Sequence, residues 1–335
     1  MVIYVTEQGA VLSKDLGKLI ISKDGKTIKE LPLKNVEVVN LMGNIFLTPH
    51  ILNYFLDNGI EVVFMTQYGK YRGKLYTNEY RNVLLRLKQY ERAKDESFKL
   101  RMAKSIVVGK LNNYYDFLIS KAKNLPRGRL SGETAAIRKV IEKVPETNSV
   151  DQVMGLEGIG SKYYFQGFAK LFLADEFKFE QRIAHPPKDP VNAMLSLGYS
   201  LLYNEIEAAI NAVGLDPYLG NLHTIDISKK SLLFDLTEEF RSFVVDAFVL
   251  SLINRNEIKP SDFEEKEEKV IHFTKPSLKQ FIEKFENRLN TKTLYHLDGE
   301  ENYLRTIFQK QARHYARVVL GEEEQYIPFT KRGSE

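Results

Sequence analysis

The 335-residue chain contains no cysteine, and it has only six histidines, which are scattered. Without cysteine it can form neither a disulfide framework nor a thiolate nucleophile or thiolate zinc site. No apolar run reaches the ~18 residues that span a bilayer, because charged residues interrupt every candidate. The segment Met1–Leu12 is typical of a strand and not of a signal peptide. These absences predict a cytoplasmic protein with no membrane contact.

The apolar content is high enough for a folded protein with more than one domain. Hydrophobic residues make up 43% of the chain, including 20 Phe and 18 Tyr. We therefore expect a folded chain and not an intrinsically disordered one. A chain of this length usually splits into two cores. The net charge of +4 is only weak evidence for nucleic-acid binding, because the distribution of charge matters more than its sum.

The first 75 residues alternate as strands do and are punctuated by turns. Asp24-Gly25 is a typical two-residue hairpin turn. Between two β-branched runs, Thr48–Leu56 has helical spacing that ends at Asn58-Gly59. The runs that we predict as strands are Val2–Val5, Lys18–Ile21, Glu37–Leu41 and Glu61–Met65.

From about residue 76 the periodicity is helical. Ser149 has capping-box spacing, and Asp189-Pro190 opens a helix that Gly214 closes. We predict an α+β multidomain fold: a β-rich N-terminal domain over 1–75, a linker over 76–85, and a larger all-α domain over 86–335. Within the last, 259–269 is predicted as an exposed loop, and helices are predicted over 235–254, 276–289 and 300–320.

Several familiar catalytic motifs are absent. The chain has no Walker A loop, no HExxH pair and no GxSxG nucleophile elbow. The glycines of Gly155–Gly160 do not follow a strand, as a dinucleotide fingerprint requires.

Three segments combine acids or histidine with unusual spacing. In Met154–Phe165, three glycines surround Glu157. Each lowers the stability of a helix by roughly 1 kcal/mol relative to alanine, which indicates that another part of the structure approaches the backbone closely there. The neighbouring Lys162, Tyr163 and Tyr164 would flank or stack on nucleotides. The pattern alone favours the plainer alternative, a solvated Glu157 on a helix with core aromatics behind it.

The other two segments carry a histidine and a pair of acids. Gly214–His223 is a shaped turn, although a lone His223 is more often structural than a ligand. Asp235 and Glu238 are three residues apart and would share a helix face, but acids in a first turn also favour the helix dipole. If the segments converge, two carboxylates and an imidazole suit Mg²⁺ or Mn²⁺.

Ordered motifs along the chain resemble the CRISPR-associated protein one family, the integrase and endonuclease of CRISPR adaptation. The resemblance begins with Tyr4–Ala10, Leu41–Asn44 and Gly59–Met65 in the first domain. The sharper matches lie in the second domain, and they are Leu156–Gly158, His185–Tyr199, Gly214–His223 and Asp235–Arg241.

The resemblance implies a site and a reaction. The family's metal ligands fall on Glu157, His223 and Glu238, and Asp235 falls on an additional active-site acid. Glu238 is Asp in some members, and Asn221 replaces a usual hydrophobic residue. The implied protein inserts captured foreign DNA (spacers) into the repeat array, by attack of a 3′ hydroxyl on a phosphodiester in the presence of Mg²⁺ or Mn²⁺.

The implied partners are double-stranded DNA (the spacer precursor and the CRISPR repeat), CRISPR-associated protein two, and a second copy of the chain, with dimerisation through the first domain. Basic residues on the last helix would follow a phosphate backbone, as would the 121–129 loop, unless they form an ordinary solvated face. The remaining candidates for DNA contact are Asn192, Arg241, Arg305, Lys310, Arg313 and Arg317.

Three rival functions stay open at this stage. In the first, the chain is a DNA-binding subunit without catalysis, with the acids as helix caps and the histidine buried. The second is a general repair nuclease that acts on branched DNA, and the third is a protein-interaction scaffold with no metal dependence.

Overall fold

The computed structural model describes residues 1–75, 82–123, 125–174, 176–183, 186–223, 226–227, 229–266 and 269–331. It divides into two compact units, Met1–Tyr80 and Arg81–Glu335. Most of the predicted linker, 76–81, lies outside the described residues, and its last residues already belong to a helix that begins at Val83. The dimerisation role of the first domain stays a prediction.

The strand-rich first unit with one short α-helix is confirmed, although four further strands were not predicted. Its described elements are β1 Val2–Val5, β2 Val11–Asp15, β3 Lys18–Lys23, β4 Lys26–Pro32, β5 Val38–Met42, β6 Phe46–Leu47, α1 Pro49–Asp57, β7 Glu61–Met65 and β8 Tyr71–Leu75. These strands form two four-stranded sheets, one with the order β1-β5-β7-β8 and the other with the order β4-β3-β2-β6. The buried core includes Leu12, Val39, Phe55 and Val62.

The Asp24-Gly25 hairpin is confirmed. Strands β3 and β4 pair antiparallel around these two residues. Asp24 has φ 50° and Gly25 has φ 75°, the left-handed backbone that a two-residue hairpin turn requires.

The second unit is mostly helical and also contains two small antiparallel hairpins. Its helices are α2 Val83–Arg92, α3 Glu96–Ala122, α4 Ser131–Lys143, α5 Val150–Ala169, α6 Pro190–Val213, α7 Ser231–Thr237, α8 Ala247–Asn254, α9 Lys275–Leu289 and α10 Leu304–Leu320. Its strands are β9 Phe263–Lys266, β10 Val270–Phe273, β11 Lys292–Tyr295 and β12 Glu300–Tyr303. Within the described ranges, no helix is long and apolar enough to cross a bilayer.

The predicted helix caps are present. The Ser149 side chain accepts a hydrogen bond from the Gln152 backbone at the start of α5. Asp189 accepts one from the Asn192 backbone at the start of α6. Gly214 ends α6 with φ 90°, a conformation that an L-residue rarely adopts.

Three predictions for the second unit were wrong. The predicted loop over 259–269 contains strand β9, which pairs with β10 just beyond it; Phe263 pairs with Phe273, and their rings lie 4.8 Å apart. The predicted helix over 300–320 begins at Leu304, because Glu300–Tyr303 pairs with β11. The predicted helix over 235–254 begins earlier, at Ser231, and it is interrupted before α8 by a π-helical stretch, Ser242–Asp246.

Helices α3 and α5 run side by side in the same direction, and one of the three glycines around Glu157 permits their contact. A Cβ atom on Gly160 would clash with the buried side chain of Leu111. Further along, the rings of Tyr114 and Tyr164 stack with centroids 3.6 Å apart. Gly155 has open space around it, so close backbone approach explains Gly160 and not Gly155.

This difference gives a paired stability prediction. Gly160→Ala should lower the free energy of unfolding by roughly 1–3 kcal/mol, because the buried Leu111 side chain has to move. Gly155→Ala should raise it by roughly 0.5–1 kcal/mol, because alanine favours the helix and meets no neighbour. Urea unfolding of both variants measures the difference, and equal effects would contradict close packing at Gly160.

Candidate active site

Two of the three predicted metal ligands meet at a buried lysine. Lys110, in the middle of α3, is only 2% exposed. Its Nζ contacts Glu157 Oε1 and lies 2.5 Å from Glu238 Oε2. Because both oxygens contact the same nitrogen atom, they lie within ~6 Å of each other, two hydrogen-bond lengths. The fold therefore brings together two carboxylates that are 81 residues apart in the chain.

The surroundings of Glu238 keep it ionised. Burial alone would raise the pKa of this carboxyl, but Arg241, Lys110 and His223 outweigh burial and lower the pKa to about 2. Arg241 Nη1 donates to Glu238 Oε1 at 3.0 Å. Glu238 is thus a carboxylate anion at neutral pH, as a metal ligand must be.

Asp235 holds His223 in place. Its carboxylate is completely buried and accepts hydrogen bonds from the backbone N–H groups of Asn221, Leu222 and His223 at 2.5, 3.0 and 3.0 Å. The Nδ1 atom of His223 lies 2.7 Å from the same carboxylate. A carboxylate in this position fixes the tautomer that leaves Nε2 free to accept or to ligate. Asp235 is therefore a positioning residue in this structure.

The loop that carries His223 is anchored on both sides. Gly220 lies so close to Asp235 and to the start of α7 that a Cβ atom there would clash. Asn221, the departure from the family pattern, is buried and donates to the Tyr315 hydroxyl on α10 at 2.7 Å. The asparagine thus anchors the loop and does not disturb it.

The donor set fits Mg²⁺ or Mn²⁺ by its chemistry: Glu157, an ionised Glu238, and the free ring nitrogen of His223. In the described part of the chain, however, no three His, Asp or Glu side chains are close enough together to surround one ion. The ammonium group of Lys110 contacts both carboxylates and offsets one of their two negative charges.

Two residues predicted to contact DNA are structural. The Tyr164 ring is completely buried and its hydroxyl donates to Asp246 at 2.8 Å, so it cannot stack on a nucleotide. Asn192 is also completely buried, and its side chain accepts from the Ile183 backbone and donates to the Gln181 carbonyl. In contrast, Lys162 is exposed and Tyr163 is half-buried.

The predicted basic stripe on α10 is largely neutralised. Arg305 pairs with Glu205 and Glu286, with nitrogen–oxygen distances of 2.8 and 2.9 Å. Lys310 pairs with Asp298 at 2.5 Å, and Arg317 contacts Glu323. Arg313 is exposed. Three of the four cations therefore have carboxylate partners within the protein. His185, in the second motif of this domain, and Asn124, in the basic loop, lie outside the described residues.

Lys110 was not predicted as a site residue, although the sequence contained a signal that it is buried. Lys110 lies among Val107, Leu111 and Tyr114, which are all buried. A lysine at the helical spacing of a buried stripe needs a partner for its charge. That signal indicates a buried carboxylate nearby but does not indicate which one.

The chain is a two-unit protein in which a β-rich unit is followed by a helical unit with buried acidic residues and a histidine. The similarity of this chain to known proteins shows its family. Residues 3–287 match the sequence model of CRISPR associated protein Cas1. The CRISPR-associated endonuclease Cas1 3 of Thermus thermophilus is 33% identical over 99% of this chain and 97% of its own. The Cas1 1 endonuclease of Chlorobaculum tepidum is 30% identical over 98% of each chain. The chain belongs to the Cas1 family.

Solved structures share the fold. A Cas1 protein from Thermotoga maritima matches with a TM-score of 0.83 at 25% identity, over 97% of this chain and 98% of that one. A casposase bound to integration product matches with a TM-score of 0.85 at 26% identity, over 100% of this chain and 94% of that one. Both similarities extend over the two units of the chain.

Proposed function

We propose that this chain is a metal-dependent DNA endonuclease and integrase that inserts captured DNA fragments into a CRISPR repeat array. The observation that carries the proposal is the convergence of Glu157 and Glu238 on one cation. The hydrogen bond by which Asp235 orients the His223 ring adds support. The similarity to proteins named as Cas1 endonucleases and to a casposase bound to integration product gives the reaction type.

In this proposal Glu157, His223 and Glu238 hold Mg²⁺ or Mn²⁺, which supplies charge stabilisation to phosphoryl transfer. A 3′ hydroxyl oxygen of the fragment forms a bond to phosphorus in the repeat strand, and the existing bond from that phosphorus to a deoxyribose 3′ oxygen breaks. The hydroxyl proton ends on the leaving oxygen. One phosphodiester is exchanged for another, so the reaction needs no external energy. With water as nucleophile, the same exchange is hydrolysis.

The surrounding side chains position these groups. Asp235 keeps the ring of His223 in one orientation by accepting from Nδ1. The Arg241 guanidinium lies 4.3 Å over the Tyr199 ring while it donates to Glu238, so two contacts fix it. The positive charges of Arg241 and Lys110 offset the repulsion between the carboxylates and an incoming phosphate.

The proposal includes the partners. A homodimer assembled with CRISPR-associated protein two would act on a double-stranded spacer precursor and on the repeat, in the cytoplasm. Family membership supports this part of the proposal.

A joining assay tests the proposal. Purified protein is incubated with a repeat-containing plasmid, Mn²⁺ or Mg²⁺, and a short labelled duplex with free 3′ hydroxyls. We expect label to join the plasmid, and we expect EDTA to abolish the joining. A matched duplex with 3′-deoxy ends should give plasmid cleavage but no joined product.

The rival functions give different results in this assay. A general branched-DNA nuclease would cleave without joining, with either duplex. A DNA-binding subunit without catalysis would bind both DNAs and give no product with any ion. Either result would contradict the proposal.

A further inference from the structure

The segment Tyr326–Phe329, here called the tail segment, packs against the two parts of the helical unit that carry Lys110 and Glu238. It follows α10 and has no regular secondary structure. Even so, the Tyr326 side chain is buried and the Phe329 side chain is completely buried. The contacts of the tail segment are therefore made inside the protein and not on its surface.

Glu239, the residue after Glu238, holds the tail segment through its side chain. The carboxylate of Glu239 is buried, and it accepts hydrogen bonds from the Tyr326 hydroxyl at 2.7 Å and from the Phe329 backbone N–H. Gln311, on α10, donates to the same carboxylate at 3.2 Å. A buried acid that receives three donors joins the chain at Glu238 to α10 and to the tail segment. The reaction proposed above does not use this acid.

Asn113 links the same place to the helix of Lys110. It follows Lys110 by about one turn of α3 and is buried. Its Nδ2 atom donates to the Glu239 carbonyl and to the Phe329 carbonyl, in both cases at 2.8 Å. One side chain thus connects α3 to the chain beside Glu238 and to the tail segment.

Two packing contacts add to these hydrogen bonds. A Cβ atom on Gly109, the residue before Lys110, would clash with the ring of Pro328. The ring of Phe329 stacks on that of Phe240, with the ring centroids 4.9 Å apart. The tail segment therefore contacts the close neighbours of Lys110 and those of Glu238 by shape as well as by hydrogen bonds.

We propose that Glu239 is a positioning residue for the metal site: together with Asn113 and the tail segment, it fixes the backbone of Glu238 against α3. The inference rests on the proposed function, in which Glu238 is one of the metal ligands. A ligand whose backbone is already fixed loses less conformational freedom when the ion binds, so the site binds the ion more tightly.

The test measures Mn²⁺ binding to the full chain without DNA, from the electron paramagnetic resonance signal of free Mn²⁺, well below the melting temperature of each variant. Glu239→Leu removes the acceptor of all three donors, and we expect Mn²⁺ to bind roughly 10–100-fold more weakly, as for other residues that support metal ligands. Glu239→Gln keeps one oxygen for the Phe329 N–H and presents an amide to the Tyr326 hydroxyl. Its affinity should stay within about twofold of wild type, because most of the hydrogen bonding is retained.

A second variant repeats the test from the tail segment. Tyr326→Phe removes only the hydroxyl that donates to Glu239, so it retains the packing of the ring even if Glu239→Leu does not fold. We expect Mn²⁺ to bind it roughly threefold more weakly, the effect of one lost hydrogen bond. The matched control is Thr134→Val, which removes a buried hydroxyl that donates to the Leu130 carbonyl within α4 at 2.9 Å. It should lower the melting temperature and leave the Mn²⁺ affinity unchanged.

Other outcomes overturn the inference. If Glu239→Leu binds Mn²⁺ as tightly as wild type or more tightly, Glu239 supports the fold alone. Equal weakening in Tyr326→Phe and Thr134→Val would assign the effect to a general loss of stability. Glu157→Gln separates this inference from the proposed function. If it binds Mn²⁺ as wild type does, the proposed ligands do not hold the ion and the proposed function fails. If it loses Mn²⁺ while Glu239→Leu retains it, only the inference fails.

Discussion

Lys110→Met is expected to lower the free energy of unfolding in EDTA by about 3–5 kcal/mol. Methionine keeps most of the side-chain volume in the 2%-exposed position but removes the charge. Glu157 and Glu238 then face each other without the cation that both contact in the native structure. Two carboxylates at that separation repel each other, and the buried Glu238 keeps the ion pair with Arg241 but loses the one with Lys110.

Divalent ions should reverse much of this loss. In the wild-type protein an ion that binds both carboxylates must displace the Lys110 ammonium, whereas in the variant that competition is gone. Mn²⁺ at a hundred times the variant's dissociation constant should therefore stabilise Lys110→Met by about 2–3 kcal/mol, and it should stabilise the wild type less. Urea unfolding with EDTA and with Mn²⁺ measures both effects.

The matched control lies on the same helix. Arg101 is exposed, so Arg101→Met should change stability by no more than about 0.5 kcal/mol and leave the Mn²⁺ effect unaltered. If Lys110→Met is as stable as wild type in EDTA, Lys110 is not the counter-charge that holds the carboxylates together. If Mn²⁺ stabilises both proteins equally, the ion binds elsewhere.

The first unit was largely predictable because its signals are local. The strand Val2–Val5, the Asp24-Gly25 turn and the helix ending near Asn58 are each specified by neighbouring residues. The same holds for the caps at Ser149, Asp189 and Gly214. Such features follow from hydrogen bonds within one turn of chain.

The two hairpins of the second unit were not predictable from local pattern. Strand β12, Glu300–Tyr303, is polar and highly charged, and it is a strand only because β11 pairs with it. The hairpin β9–β10 contains the charged run Glu264–Lys266, which indicates solvent exposure but not pairing. In both, an interaction across the turn overrides a weak intrinsic preference.

The acids near residue 238 show the limit of spacing arguments. Asp235 and Glu238 were predicted to share a helix face, and Glu238, the C-cap of α7, still has helical φ and ψ of −56° and −37°. The two side chains nevertheless have different partners, because Asp235 contacts the backbone of Asn221 and His223 and Glu238 contacts Lys110. The two carboxylates therefore perform different tasks. No spacing rule reveals this, because the partners lie in other parts of the chain.

Asp235→Asn is expected to lower joining activity strongly, although Asp235 is not one of the three proposed metal ligands. Four donors point at the Asp235 carboxylate, three from the backbone and one from the His223 ring. An asparagine amide presents its own N–H₂ to at least one of them, so the ring loses the partner that fixes its tautomer. Replacing a residue that hydrogen-bonds a metal-binding histidine typically weakens metal binding about 10–100-fold, and we expect a loss of this size for Mn²⁺.

Titration with Mn²⁺ separates positioning from direct ligation. Joining activity of Asp235→Asn should recover in part as Mn²⁺ is raised, because Glu157, Glu238 and His223 are all still present. Glu157→Gln removes a ligand, and its activity should stay about a thousandfold below wild type at every concentration, a loss of several kcal/mol. Asp216→Asn, in the same loop but hydrogen-bonded to Tyr90 and the Tyr218 backbone, should behave as wild type.

If Asp235→Asn were as inactive as Glu157→Gln at saturating Mn²⁺, Asp235 would be a catalytic residue and not a support for His223. Full activity at ordinary Mn²⁺ would show that the reaction does not need the orientation of His223 that the structure displays.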